Sequence, residues 1–474
     1  MIEGEHLTHR GAISQHVQSL PASGIRKFFD LLSNMEGIIS LGVGEPDFVT
    51  PPAIRAAAVK SLDEGYTHYT SNYGLIELRQ AIARHIHNLY GLEYDPATEI
   101  IVTTGVSEAI NLAMMAIVDR GDEVIGPDPS YVAYLPTVLL AGGTYVPVPT
   151  SVEHDFKMQA HDLEELITPK TKAIFFGYPS NPTGAVMDRE DLEAIADVAE
   201  RHNLFVICDE IYDRLVYGGE HTCFASLPGM RDRTLLMGGF SKAYAMTGWR
   251  LGYTCARVDL TEAMMRVHQY ITMSAPTMAQ YAGLEALRSG EEDVRGMVAE
   301  YDRRRRMVVR ELNDMGLRCF EPRGAFYCFP SVSITGLSDE AFAEGLLMEE
   351  KVAVVPGSAF GQCGAGHVRI CYASPYDDLV EALARLRRFV EAGDVDRHGG
   401  PGLEEFSVDL EGFVHRLDAS GGRSANEAIA DSQGSLLDDE FCDDPSSALS
   451  LCFEASSVGR AIRIGLIVMQ LGDG

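Results

Sequence analysis

Between about Glu99 and Ala256 the chain repeats one pattern: a short β-branched or apolar run, then a helical pattern, then another run. Residues 100–103, 123–125, 144–148, 173–176, 205–208, 235–237 and 251–255 read as strands, and residues 107–118 and 189–202 as helices between them. Runs this short and this apolar suit strands buried on both faces, with the helices as their cover. The alternation predicts an α/β domain built on a mainly parallel seven-stranded sheet. Ligands of such sheets sit beyond the carboxyl ends of the strands. The residues that follow each run are therefore the first candidates for chemistry.

The flanking regions read differently. A long charged helix at about 291–315 precedes short strands around 318–330, 352–355 and 368–372, and a last helix covers about 376–390. The expected organisation is an N-terminal segment, 1–48, packed with a smaller α+β domain, 291–390. A large domain, 49–290, lies between them. Residues 391–474 hold seventeen acids, five arginines and no lysine, and are rich in Gly, Ser and Asp. That composition predicts a poorly ordered acidic tail. The alternative is an appended helical element using 410–417 and 461–471.

Bulk chemistry excludes some partners. A formal charge of -30 opposes nucleic acid and anionic membranes. The nine cysteines show no CxxC pair and no metal-ligand spacing, which predicts reduced thiols in a cytoplasmic protein and no metal site. The start, Met1-Ile2-Glu3-Gly4-Glu5, lacks a signal-peptide pattern, and the apolar stretch 464–471 is too short to span a bilayer.

The residues that carry chemistry begin with FSKAYAMTGWRLGY, residues 240–253. The chain has only seven lysines among its 39 basic residues, yet Lys242 stands here among small and apolar neighbours. A desolvated amine can lose its proton and attack a carbonyl, and Arg250 can clamp a phosphate. Pyridoxal phosphate is a cofactor that carries both an aldehyde and a phosphate. Asp209, at the end of an apolar run, could pair with a protonated ring nitrogen and keep the ring an electron sink. Tyr212 could reach the ring's phenolic oxygen. Otherwise Asp209 caps a following helix and Tyr212 is core.

Other stretches are weaker alone. Asn181, in Tyr178-Pro179-Ser180-Asn181-Pro182-Thr183-Gly184, projects from a turn and could bind the ring oxygen and a substrate carboxylate. Gly105-Val106-Ser107 joins a strand to a helix, where free amides suit a phosphate, although Ser107 would serve equally as a plain N-cap. Tyr131 could stack on a ring or be core. Arg369, inside an apolar run, needs an anionic partner, either a structural acid or an amino-acid carboxylate.

With these pieces in order, residues 19–390 resemble the class I pyridoxal-phosphate aminotransferases of fold type I, in the branch of bacterial and archaeal aspartate aminotransferases. The SK-x-x-x-M-T-G-W-R-x-G-Y signature carries the resemblance, with DEIY, NPTG, Leu41-Gly42-Val43-Gly44-Glu45-Pro46-Asp47-Phe48 and Gly324-Ala325-Phe326-Tyr327. The resemblance implies that Lys242 is joined to the cofactor's aldehyde carbon and that Asp209 faces the ring nitrogen. Tyr212 and Asn181 would hold the phenolic oxygen, with Tyr131 on the ring. Gly105, Val106, Ser107, Ser241 and Arg250 would take the phosphate, joined by Tyr69 from the second subunit of a homodimer. Arg369, Asn181 and the backbone at Gly44 would grip the α-carboxylate, and residues 23–28 would shape side-chain selection. The implied reaction moves an amino group between an L-amino acid, aspartate favoured, and a 2-oxo acid, 2-oxoglutarate favoured; alanine, aromatic or other amino donors are the alternative. Lyases acting at Cβ or Cγ share the fold, and a non-catalytic sensor is the third reading. One position departs from the pattern: Gly239 stands where many relatives carry a phosphate-binding hydroxyl.

Overall fold

The computed structural model describes residues 13–18, 20, 35, 37–398, 449–454 and 463–468. The chain divides into a compact unit, Met1–Gly399, and a second, Gly400–Gly474. Residues 23–28 lie outside the described residues.

The strands in chain order are β1 (Ile39–Ser40), β2 (Ile100–Thr103), β3 (Glu123–Asp128), β4 (Thr144–Pro149), β5 (Thr171–Phe176), β6 (Phe205–Asp209), β7 (Thr234–Gly239), β8 (Gly252–Cys255), β9 (Tyr327–Cys328), β10 (Val352–Ala353), β11 (Val355–Pro356), β12 (Val368–Cys371), β13 (Leu449–Glu454) and β14 (Arg463–Val468). Seven of them form one sheet in the order β2-β8-β7-β6-β5-β3-β4. Only β8 runs against the rest. The expected mainly parallel seven-stranded sheet is the one found.

Successive residues of the central strands feed opposite cores, as the period of two requires. On β5, Ala173 and Phe175 pack with one cluster and Ile174 and Phe176 with another. Helix Val106–Ile117 buries Ile110, Ala113 and Met114 in the first of these. Helix Arg189–Arg201 buries Leu192, Ile195, Ala196 and Ala199 in the second, so both faces are covered.

The smaller elements fall outside the large sheet. β9, β11 and β12 form a three-stranded antiparallel sheet. Parallel pairing of β1 with β10 ties the N-terminal segment to these elements. Leu41 extends that tie, its amide donating to Ala353 and its carbonyl accepting from Cys371. The run 318–330, read as strand, is strand only at Tyr327–Cys328. Pro322 and Gly324 interrupt it, and the amides of Arg323 and Gly324 instead donate to the Gly184 carbonyl. The helix expected to stop near 390 runs Tyr376–His398.

In the second unit, β13 and β14 pair antiparallel, Leu449 opposite Val468. Neither disorder nor the alternative helix at 461–471 describes these twelve residues. Ile464, Leu466, Ile467 and Val468 are large or β-branched, which favours a pleated strand. Seven described cysteines are free thiols. No helix among the described residues is long and apolar enough to cross a membrane.

Candidate active site

A cavity of about 470 Å³ opens at the carboxyl ends of the strands. Asp209 ends β6 on its floor, and Lys242 follows β7, whose last residue is Gly239. The cavity is also lined by Gly44, Val106, Ser107, Tyr131, Asn181, Tyr212, Ser241, Arg250 and Arg369. These positions span 325 residues of sequence, and the sheet topology brings them to one opening. Two predicted positions do not line it. Gly105 is packed against the Arg250 guanidinium, which does line it. Tyr69 lies on the outer surface with 81% of its area exposed.

Lys242 Nζ donates a 2.6 Å hydrogen bond to the Gly44 carbonyl. Surrounding protein pushes its pKa down to about 8; the nearby Cys371 opposes the shift, and the Arg369 guanidinium adds to it. The amine is thus close to losing its proton at neutral pH, as a nucleophile or proton carrier requires.

Asp209 caps no helix. Its Oδ1 accepts from the Ile211 amide at 3.1 Å and its Oδ2 from the Tyr134 hydroxyl at 3.0 Å. Burial pushes its carboxyl up to about 6 even against these donors. A cation entering beside it would reverse that shift and be held strongly. Tyr212 shares a 2.7 Å hydroxyl–hydroxyl hydrogen bond with Tyr327. Burial raises both phenols, so both remain neutral donors.

Arg369 is buried inside β12. Its Nη1 donates to Asn181 Oδ1 at 2.8 Å and its Nη2 to the Gly42 carbonyl at 2.6 Å. Both acceptors are neutral, and Nε is buried without a hydrogen-bond partner. A structural acid is therefore not what answers this guanidinium. A buried cation held only by neutral dipoles favours an incoming carboxylate.

Helix Val106–Ile117 starts at Gly105 with φ +82° and no side-chain cap. Ser107 stands inside the helix, so the plain N-cap reading of it fails. A Cβ at Gly105 would lie 2.9 Å from Arg250 Nη2, so only glycine lets the guanidinium approach this turn. Uncapped amides, the positive helix end and Arg250 together suit an anion.

Gly239 also has a structural account. A Cβ there would lie 2.9 Å from Ile211 Cδ1 and 3.1 Å from Val106 Cγ2. Two apolar side chains occupy the room that a residue at 239 would need. Ser107, Ser241 and Thr247 are the serine and threonine residues that line the cavity.

Sequence reading overlooked Tyr134 and did not assign a role to Tyr327. Tyr134 stands three residues after Tyr131, and the two rings meet edge-on at 5.7 Å. That spacing was the available signal. Among the described residues no cluster of His, Cys, Asp and Glu is placed to hold a metal.

Taken together the cavity offers an amine near neutrality, an uncapped helix start beside an arginine, a buried carboxylate and a second arginine. A ring bearing an aldehyde, a basic nitrogen and a phosphate fits the first three, and an amino-acid carboxylate the fourth. Comparison with known proteins agrees. Residues 36–386 match the family model for aminotransferases of class I and II. The chain belongs to this family, and it is an aminotransferase. A putative aminotransferase, YugH, of Bacillus subtilis is 53% identical over 80% of this chain and 98% of its own length. An aspartate aminotransferase of Pyrococcus abyssi is 46% identical over 80% of this chain and 98% of its own. The crystal structure of an aromatic aminotransferase from Pyrococcus horikoshii superposes with a TM-score of 0.75 at 44% identity, covering 78% of this chain and all of that one.

Proposed function

We propose that this aminotransferase uses pyridoxal phosphate and moves the amino group of L-aspartate to 2-oxoglutarate in two half-reactions. The placement of Lys242 Nζ in one cavity with Asp209 and Arg369 carries the reading. Pyridoxal phosphate, when bound, supplies an aldehyde to accept the amino group and a ring that withdraws electrons from the substrate's Cα.

The protein's own groups do the rest. Arg369 Nη1 and Nη2, with the Asn181 amide, orient the substrate by its α-carboxylate. Lys242 would hold the cofactor by its aldehyde carbon, and its neutral amine would take the proton from the substrate's Cα. Asp209 keeps the ring nitrogen protonated, and Tyr134 keeps Asp209 in place. Tyr212 and Asn181 would donate to the phenolic oxygen, and Tyr131 would lie against the ring. Gly105, Val106, Ser107, Ser241 and Arg250 hold the phosphate. Gly44 contributes backbone beside the carboxylate. Tyr69, exposed on its own chain, reaches the phosphate of the other subunit in a homodimer.

Aspartate is favoured because relatives of this similarity are named aspartate aminotransferases. The test is a half-reaction. Aspartate or glutamate alone should change the absorbance of the loaded enzyme and release a stoichiometric 2-oxo acid, without any acceptor. Pyruvate or ammonia released continuously from a single substrate would mean a lyase instead. A donor panel that includes phenylalanine and alanine ranks the substrates.

A further inference from the structure

The loop that carries Lys242 bends twice into a conformation that side chains resist. Ala245 has φ +51° and Arg250 φ +54°, both left-handed and neither a glycine. Residues of this kind persist there only when their surroundings hold them. One hydroxyl is bonded at both bends. Thr50 Oγ1 donates to the Ala245 carbonyl at 2.5 Å and accepts from Trp249 Nε1 at 2.9 Å. Trp249 immediately precedes Arg250, and Ala245 lies three residues after Lys242.

Thr50 comes from a segment about two hundred residues away in sequence. It is 7% exposed. Its mount is stiff: Pro51 follows it, and Pro52 opens helix Pro52–Asp63. A residue before proline is confined to extended backbone, which fixes the direction from which the hydroxyl approaches. The loop's own ties include the Met246 amide to the Ser241 carbonyl at 3.1 Å, the Trp249 amide to the Met246 carbonyl at 3.3 Å and Arg250 Nη1 to the Thr247 carbonyl at 3.1 Å, and Thr247 Oγ1 donates to Glu45 Oε2 at 3.0 Å; none of these bonds the Ala245 carbonyl.

We propose that Thr50 is the positioning residue of this loop: its one hydroxyl sets the span between the Lys242 amine and the Arg250 guanidinium, and so the fit of the cofactor's aldehyde and phosphate ends. Thr50 touches neither end and does not line the cavity. The inference rests on Lys242 and Arg250 being those two contacts.

The chain provides its own probe. Trp249 is its single tryptophan, so emission excited beyond the tyrosine absorption band reports this loop. Cofactor-free protein is titrated with pyridoxal phosphate while Trp249 emission and the visible band of the bound cofactor are followed. Thr50→Val keeps the shape and removes both hydrogen bonds; Thr50→Ser keeps the hydroxyl. Losing the pair should weaken cofactor affinity about tenfold and move the pH at which the visible band titrates. Thr50→Ser should stay within about threefold of the parent. Equal affinity and an unmoved band in Thr50→Val overturn the proposal, as does equal impairment of the two variants. Should Thr50→Val not fold, Trp249→Phe decides, read by the visible band: it removes one of the two bonds, and unchanged affinity there overturns the proposal. A parent protein that binds no pyridoxal phosphate would instead refute the functional reading on which this rests.

Discussion

The Tyr134 hydroxyl donates to Asp209 Oδ2 at 3.0 Å while the Ile211 amide donates to Oδ1, so each oxygen of the buried carboxylate has one donor. Burial already pushes this carboxyl up to about 6. Tyr134→Phe removes the one side-chain donor to it among the described residues and raises it further. A hydrogen bond to a charged group contributes about 1.5–3 kcal/mol, so kcat/KM should fall by roughly ten- to a hundredfold. The acid limb of the pH–rate profile should also move to higher pH. An unchanged limb with a lower rate would mean that Tyr134 only fills space.

Lys242 gives a second prediction, with two readouts. Lys242→Ala should have no measurable turnover, and retained activity would end the functional reading. Stability of the cofactor-free protein should respond as well. The folded pKa of about 8 lies below the ordinary lysine value, so folding opposes protonation here. That penalty is full below about pH 8 and disappears as pH rises toward about 10.4. The melting temperature of Lys242→Ala relative to the parent should therefore be highest near neutral pH. It should decline between about pH 8 and 10. A difference that is flat with pH would show the amine to be solvated.

At Gly239 the prediction concerns packing. Gly239→Ser restores a hydroxyl but drives its Cβ against Ile211 and Val106. Overpacking of this kind costs about 1–3 kcal/mol. The variant should melt lower than the parent, and Val106→Ala in the same chain should recover part of the loss. Thermal denaturation of the single and double variants checks this; a serine variant that melts with the parent would show that the wall yields freely.

Glu210, next to Asp209, pairs with His221 in the interior. Burial alone would lower the imidazole pKa, but the Glu210 carboxylate beside it outweighs that and raises it. With the folded pKa above the unfolded one, the stabilisation is full below about pH 6.5. It is lost as pH rises through the raised value. His221→Gln leaves Glu210 buried without its cation, a loss of about 3–5 kcal/mol. The difference in melting temperature between parent and variant should narrow as pH rises through this window. Parallel curves would sink the ion-pair account.

The sheet was legible because its strands are apolar on both faces, and Phe205 to Asp209 or Thr171 to Phe176 can hardly be read otherwise. Lys242, Asp209 and Arg369 were legible because each puts a charged group inside an apolar stretch, which demands a reason. Tyr134 and Tyr327 were not recognised as partners because a tyrosine in an apolar context reads as core. Only the fold reveals that their hydroxyls meet Asp209 and Tyr212. Gly239 read as a missing hydroxyl, whereas the structure shows a crowded position. Thr50 carried no signal at all, since its partners lie about two hundred residues away.

Gly42 and Gly44 carry the last consequence. Their carbonyls accept from Arg369 and Lys242, so two cations with different tasks lean on peptide units two residues apart. A Cβ at Gly44 would lie 2.3 Å from the Tyr327 hydroxyl, which in turn bonds Tyr212. The Arg369 guanidinium, the Lys242 amine and the phenolic pair are thus mechanically one joint. Substitutions at these places should not add: in a double-mutant cycle, Gly44→Ala and Tyr327→Phe should together do less harm than the sum of the two alone.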